Sequence, residues 1–242
     1  MRVYKFLSAE FGLKSLWEKR LKITTIDELN DPFDLLPFKI LDRSKRKEMR
    51  LKNQRLGKSH GMLCFSEAWS DPVIWAHYSD KHRGLCLGFE IENDEEKEVI
   101  YVDERQDLDD KDLIANVGIP IWLYTKYSKW DYEQEIRWWL RLPAPVKINA
   151  KDYYFKPFDD SLRLVEVIAG AKCEVAKKEL LGAMYPLQEV ALIQARGGFH
   201  KFEIVPNQRG FREDRSPRYS TTAQGLANLS TSDQFAEDDD DL

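Results

Sequence analysis

Cysteine is scarce in this chain: three among 242 residues, Cys64, Cys86 and Cys173, widely spaced and set in apolar strings or beside a helix start. An odd, scattered set argues against a disulfide framework and against a cysteine zinc site, and it predicts buried free thiols in a reducing cytoplasm. Neither Cys86 nor Cys173 has an activating base nearby in sequence, so neither reads as a nucleophile. Histidine is sparse too, four residues. His77 and His82 are five apart, off a common helix face, and no carboxylate stands at a metalloprotease spacing, so no metal site is expected. No apolar run approaches the roughly 18 to 20 residues of a membrane span. The opening Met1-Arg2-Val3-Tyr4-Lys5-Phe6 has no signal-peptide core and reads as a first strand. Gly-rich phosphate loops, a Rossmann fingerprint and a serine elbow are all missing.

The charge is unevenly placed. The net of −5 conceals nine Lys/Arg against Asp42 and Glu48 over 39–58, and eleven Asp/Glu against three cations over 92–112. The chain then closes on Glu237-Asp238-Asp239-Asp240-Asp241. The basic stretch is rich in helix formers and reads as an exposed helix or mobile arm, able to contact nucleic acid or simply to keep the domain solvated. The acidic 103–112 reads as a surface loop running into a helix. From 207 to 242 the chain is polar and poor in apolar residues, so that tail is expected to be largely disordered, leaving one domain over 1–206.

Strand patterns outnumber helical ones and do not alternate with them, which predicts an α+β fold. Val3 to Phe6, Leu21 to Thr25, Met62 to Glu67, Gly84 to Ile91, Val99 to Val102, Leu162 to Ile168, Val190 to Ile193 and the Phe202/Ile204 pair read as strands. Ser8 caps a helix carrying Leu13, Leu16 and Trp17, and Asp71-Pro72 opens a short one. Ala176, Leu180, Ala183 and Met184 mark a third. Asn30-Asp31-Pro32-Phe33 is turn chemistry. Gly88 leaves room for a close backbone or ligand approach.

The densest signal is the run 129–139. Read as a strand, it puts Tyr132, Ile136, Trp138 and Leu140 on one side, and Glu133, Glu135, Arg137 and Trp139 on the other. Two carboxylates side by side repel and raise each other's proton affinity, so a core strand has no use for them. One reading is an ion-pair ladder on an exposed strand face. The other is a site for chemistry at a sugar carbon, where a carboxylate stabilises positive charge as it develops. Ser66, His77 and Tyr78 lie near strand or helix ends, where their polar groups suit ligand hydroxyls. His77 reads equally well as a core histidine bonded to backbone.

Asn30-Asp31-Pro32-Phe33, Cys64-Phe65-Ser66, Trp75-x-His77-Tyr78, His82-x-Gly84-x-Cys86-Leu87-Gly88-Phe89, Trp130-x-Tyr132-Glu133-x-Glu135-x-Arg137 and Glu166 to Gly170 occur in that order. Together they resemble, over roughly 1–205, a widespread uncharacterised bacterial domain family found near phage-defence and toxin genes. That family in turn resembles the ADP-ribosyltransferases, whose Gln/Glu-x-Glu motif is matched by Glu133-Gln134-Glu135. The resemblance implies two small β-sheets around a central cleft with flanking helices, and NAD as co-substrate. It implies Glu135 as the catalytic carboxylate on the ribose and Glu133 as the residue orienting the acceptor. Ser66 corresponds to a middle-strand serine, Tyr78 to a nicotinamide-stacking ring, and Asn30, His77 and Arg137 to further NAD contacts. Tyr4-Lys5 stands where that superfamily has Arg or His on its first strand. The activity so implied is ADP-ribose transfer to a macromolecule, nucleic acid before protein, in a toxin or phage-defence effector with an antitoxin or chaperone partner. A non-catalytic nucleic-acid-binding or sensor module of a defence system is the alternative.

Overall fold

The alternation of the first strand sorts the whole molecule into two sides. In a computed structural model describing residues 1–92, 96–108, 120–187 and 189–211, β1 (Arg2–Leu7) sends Val3 into one apolar core and Phe6 into another. It is flanked by β5 (Leu85–Ile91), paired along its full length, and touches β4 (His60–Ser66) on the other edge. Beyond β5 lie β13 (Leu162–Ala169), β14 (Ala191–Gly197) and β15 (Ile204–Pro206); beyond β4 lie β10 (Glu135–Arg141) and β6 (Glu96–Glu98). The result is one eight-stranded mixed sheet in the order β15-β14-β13-β5-β1-β4-β10-β6, its β13/β14 pair parallel.

This corrects the expectation of two small sheets around a cleft. Strands β5 and β13 are buried on both faces over most of their length, Glu90, Arg163 and Glu166 excepted, so the sheet continues through them instead of ending there. The division survives in weaker form. Between β1 and β4 the ladder holds a single pair, Tyr4↔Ser66, and β4 is next paired on that edge at Met62, to Thr24. In the gap the Lys5 ammonium donates to the Cys64 carbonyl at 2.9 Å, a side chain standing in for a missing backbone donor.

Smaller sheets complete the frame. β2 (Arg20–Ile23), β12 (Lys151–Pro157) and β11 (Val146–Ile148) form three strands, while β3 (Phe38–Lys39) pairs with β8 (Gln106–Asp107), and β7 (Ile100–Val102) with β9 (Thr125–Tyr127). The stretch after Pro143 and Pro145, for which no strand was expected, forms β11 and β12. The last strand begins at Ile204; Phe202, expected on it, is fully exposed.

Helix α1 (Ala9–Glu18) starts where Ser8 accepts from the Phe11 amide, and buries Leu16 against Val3, Leu85 and Leu87. Trp17, expected in its core stripe, is more than half exposed. The basic stretch folds as α2 (Arg43–Gly57), capped by Asp42 and buried at Met49. Helix α3 (Pro72–Tyr78) begins at Asp71, which accepts from the Val73 and Ile74 amides. Its Ile74 and Trp75 pack with Phe6 on the side of the sheet opposite α1. Helix α4 (Lys177–Met184) buries Leu180, Ala183 and Met184. Packing runs past the expected domain edge to Phe211, which joins the main core. The remainder of the polar tail, 212–242, and the end of the acidic loop at 109–112 lie outside the described residues. Among the described residues no helix is long and apolar enough to cross a membrane, and Cys64, Cys86 and Cys173 are free thiols.

Candidate functional site

Three neighbouring strands carry the expected residues in one row. Tyr4 on β1 is in register with Ser66 on β4, and Ser66 with Glu135 on β10. Residues paired this way share a face of the sheet. On the other side of Tyr4 the row continues to Gly88 on β5 and Glu166 on β13. A Cβ at Gly88 would lie 3.1 Å from a Tyr4 ring carbon and 3.0 Å from the Glu166 Cβ. The close approach that Gly88 permits is thus that of the tyrosine ring and the Glu166 side chain.

Glu133 does not share the strand with Glu135, as the period-two reading had it. Ser128–Glu133 is a 3-10 segment, closed by the Gln134 amide on the Asp131 carbonyl, and Gln134 itself is left-handed at φ 42 and ψ 54. That reversal brings the two carboxylates together from different elements. Both meet the ammonium of Lys126 on β9, Glu133 at 2.5 Å and Glu135 at 2.9 Å. Arg137 holds Glu135 from the other side, through Nε at 2.7 Å and a terminal nitrogen at 3.0 Å. The same guanidinium donates to Asp34 and to the Leu123 carbonyl. The Tyr78 hydroxyl donates to the second oxygen of Glu133 at 2.5 Å, and the Asn30 amide reaches Tyr78 at 3.4 Å. The Glu135 amide donates to the Tyr101 hydroxyl at 2.9 Å, fixing where β10 begins.

The cluster is buried: Glu133, Glu135 and Lys126 are each 5 or 6% exposed, and Arg137 not at all. Three carboxylates against two cations leave one negative charge in a poor solvent for it. Burial pushes the proton affinity of Glu133 up, and Lys126 and Tyr78 offset this only in part. Burial pushes Glu135 up as well, but there Arg137 and Lys126 prevail and the carboxyl falls to about 2. Asp34 is raised by burial despite Arg137. Lys126 is held protonated well above its ordinary range, because its two glutamates outweigh its desolvation. The cations thus favour the anionic form of Glu135 more strongly than that of Glu133, whose proton affinity burial raises.

These groups stand at the edge of a small cleft of about 100 Å³ along the β1/β4 gap. Of the residues expected at a site, Tyr4, Lys5, Asn30, Ser66, Tyr78, Glu133 and Glu135 line it. His77 does not: it is exposed, with Nδ1 at 3.0 Å from the Tyr132 hydroxyl. Arg137 does not either, since its donors are spent on Glu135, Asp34 and Leu123, and it acts behind the wall. Lys126, Asp34 and Tyr101 had no place in the sequence reading. The first two do leave a trace there, each a lone charge in an apolar string, Leu123-Tyr124-Thr125-Lys126-Tyr127 and Pro32-Phe33-Asp34-Leu35-Leu36. Such isolation favours a buried, paired charge.

Compared with known families, residues 74–138 match a model described as a protein of unknown function (DUF2971). The matched segment carries Tyr78, Lys126, Glu133, Glu135 and Arg137, most of α3 and all of β5, while Tyr4, Asp34 and Ser66 lie outside it. No curated protein and no solved structure gives a significant match, and none of these findings links the chain to the ADP-ribosyltransferases.

Proposed function

We propose that the cleft is the active site of an NAD-dependent ADP-ribosyltransferase that acts on a macromolecule, nucleic acid before protein, in a toxin or phage-defence setting. The observation that carries the reading is that Glu133 and Glu135 converge on one buried lysine at the cleft, Glu135 held by Arg137 as well and Glu133 otherwise only by Tyr78. That asymmetry suits Glu135 to charge stabilisation and Glu133 to acid–base work. Transfer breaks the N-glycosidic bond between ribose and nicotinamide, whose electron pair leaves with the nicotinamide nitrogen. Glu135, anionic throughout, stabilises the positive charge that grows at the sugar carbon. The acceptor atom forms the new bond at that carbon, and its proton passes to Glu133. Arg137 and Lys126 position Glu135. Tyr78 holds Glu133 at the cleft edge.

A cleft of about 100 Å³ takes one end of a dinucleotide and not the whole, since small-molecule sites run to roughly 300–1,000 Å³. Space for the other end adjoins it. A cavity of about 430 Å³ shares Leu29 and Asp34 with the cleft and carries Arg46, Arg50 and Arg105, cations suited to a pyrophosphate.

The deciding experiment measures nicotinamide released from NAD by the pure protein. Wild type should release it, and Glu135→Gln, checked for fold by circular dichroism, should do so slower by about a hundredfold or more. Glu133→Gln should lose transfer to an acceptor more than it loses hydrolysis. An unchanged rate in folded Glu135→Gln removes the reading.

One observation favours a second reading, a non-catalytic binding or sensor module. Both oxygens of Glu133 and both of Glu135 already have partners within the chain, as a structural network would require. Under that reading no nicotinamide appears, and Glu135→Gln changes stability alone.

A further inference from the structure

On the face of the main sheet opposite the cleft, a groove of about 430 Å³ runs between α1 and the three-stranded sheet. Its walls follow from two periodicities. Phe11, Lys14, Ser15 and Glu18 recur at i, i+3, i+4 and i+7 on the side of α1 turned away from Gly12 and Leu16. Arg20 and Lys22 on β2, and Lys151, Tyr153 and Phe155 on β12, are the outward members of alternating strands whose Leu21, Ile23 and Tyr154 enter the core. Lys5 and Phe6, at the β1/β4 gap, line both groove and cleft.

Two features set this surface apart. The first is its charge. In a chain of net charge −5, Lys5, Lys14, Arg20, Lys22 and Lys151 face one space against Glu18 and the bordering Glu28. Glu18 pairs with Arg20, and Glu28 with Lys22 and Lys151, while Lys14 has no ion-pair partner among the described residues. The second is the aromatic rings interleaved with those cations. The Arg20 guanidinium lies 3.7 Å over the Phe155 ring, and Lys22 and Lys151 each stand 5.3 Å from the Tyr153 ring. Phe11 leaves 59% of itself in water, where it brings the fold nothing.

Cations beside aromatic rings are what an unpaired strand of nucleic acid requires. A duplex keeps its bases stacked inside and would leave the rings idle. An acidic peptide would use the cations and ignore the rings. We infer that this groove binds single-stranded nucleic acid, with phosphates on Lys14, Lys22 and Lys151 and bases on Phe11, Tyr153 and the Arg20–Phe155 stack. The inference is independent of the chemistry in the cleft and of the basic helix α2.

The test is fluorescence anisotropy of the full chain with a labelled oligonucleotide of about twelve nucleotides, titrated from about 50 to 200 mM salt. Binding should be seen with the single strand, and be weaker with the same sequence as a duplex or with polyglutamate. Lys14→Ala, Lys22→Ala and Lys151→Ala together should lower the salt slope by about 2, at roughly 0.7 per phosphate contact. Tyr153→Ala and Phe11→Ala should each weaken binding about tenfold and leave the slope unchanged. Should the triple variant fail to fold, Lys14→Glu changes one exposed, unpaired side chain and should still reduce affinity. Arg43→Ala with Lys47→Ala, both exposed on α2, should leave groove binding as it was. The inference is overturned if no strand binds at low salt, if the duplex or polyglutamate binds as well, or if α2 and not the groove governs affinity. Glu135→Gln should bind the oligonucleotide like wild type, which separates failure here from failure in the cleft.

Discussion

Arg137 shows what one side chain holds together. It is fully buried and gives its donors to Glu135, Asp34 and the Leu123 carbonyl, so it binds the anionic half of the cluster to the 3-10 turn preceding β9. Removing it strands buried Asp34 and leaves Glu135 on Lys126 alone. Arg137→Met should cost about 3 to 5 kcal/mol in a denaturant titration, and Arg137→Lys should recover little, because one ammonium cannot reproduce a planar fork. The two glutamates should also separate with pH. Glu135 keeps its charge down to about 2 in the folded chain, against an ordinary 4.5, so it contributes stability above 4.5 that is lost as pH falls toward 2. Glu133 has the reverse sign: its raised proton affinity makes its ionisation a cost as pH rises through the folded value. Unfolding midpoints followed across pH should therefore show Glu135→Gln less stable than wild type at neutral pH, by at most about 3 kcal/mol, with a flatter acid limb. Glu133→Gln should stay within about 1 kcal/mol of wild type at neutral pH. Tyr4, Ser66 and Glu135 were legible in sequence because strand alternation and order of motifs already place them. Lys126 and Asp34 were not, because a lone charge in an apolar string announces burial without naming its partner.

At the level of elements, caps read well and reversals read poorly. Ser8, Asp42 and Asp71 each accept the amide bonds that start a helix, and Ser8 and Asp71-Pro72 are plain in the sequence. Asp71→Ala should lower stability by about 1 kcal/mol and fray the first turn of α3, the end opposite Tyr78. That loss should appear as a lower melting temperature and a faster-exchanging amide at Ile74. The 3-10 segment Ser128–Glu133 escaped notice for a physical reason. It holds no Gly or Pro, and its residues suit a strand as well as a tight turn, so period two ran straight through it. The local closure of Gln134 on Asp131 and the tertiary pinning of Glu135 by Tyr101 decide the matter. Gln134→Ile places a branched side chain at positive φ, which should cost about 1 to 2 kcal/mol and part Glu133 from Lys126. Gln134→Gly should keep both, as thermal melts of the pair would show.

For the molecule as a whole, α+β character was legible because strands outnumber helices, whereas the width of the sheet was not. The apolar runs of β5 and β13 show that both faces are covered without showing which strand lies on either side. The β1/β4 gap was hidden as well, since it consists of pairs that do not form. Strength against sliding in an antiparallel sheet grows with the number of rungs. Five strands meet three here across one backbone rung and one lysine. Widening that gap breaks far fewer bonds than parting any full ladder in the sheet. The sheet's own hydrogen bonds thus resist a bulkier guest least at this gap, and what still ties its two sides is the Tyr78–Glu133 bond and the core they share.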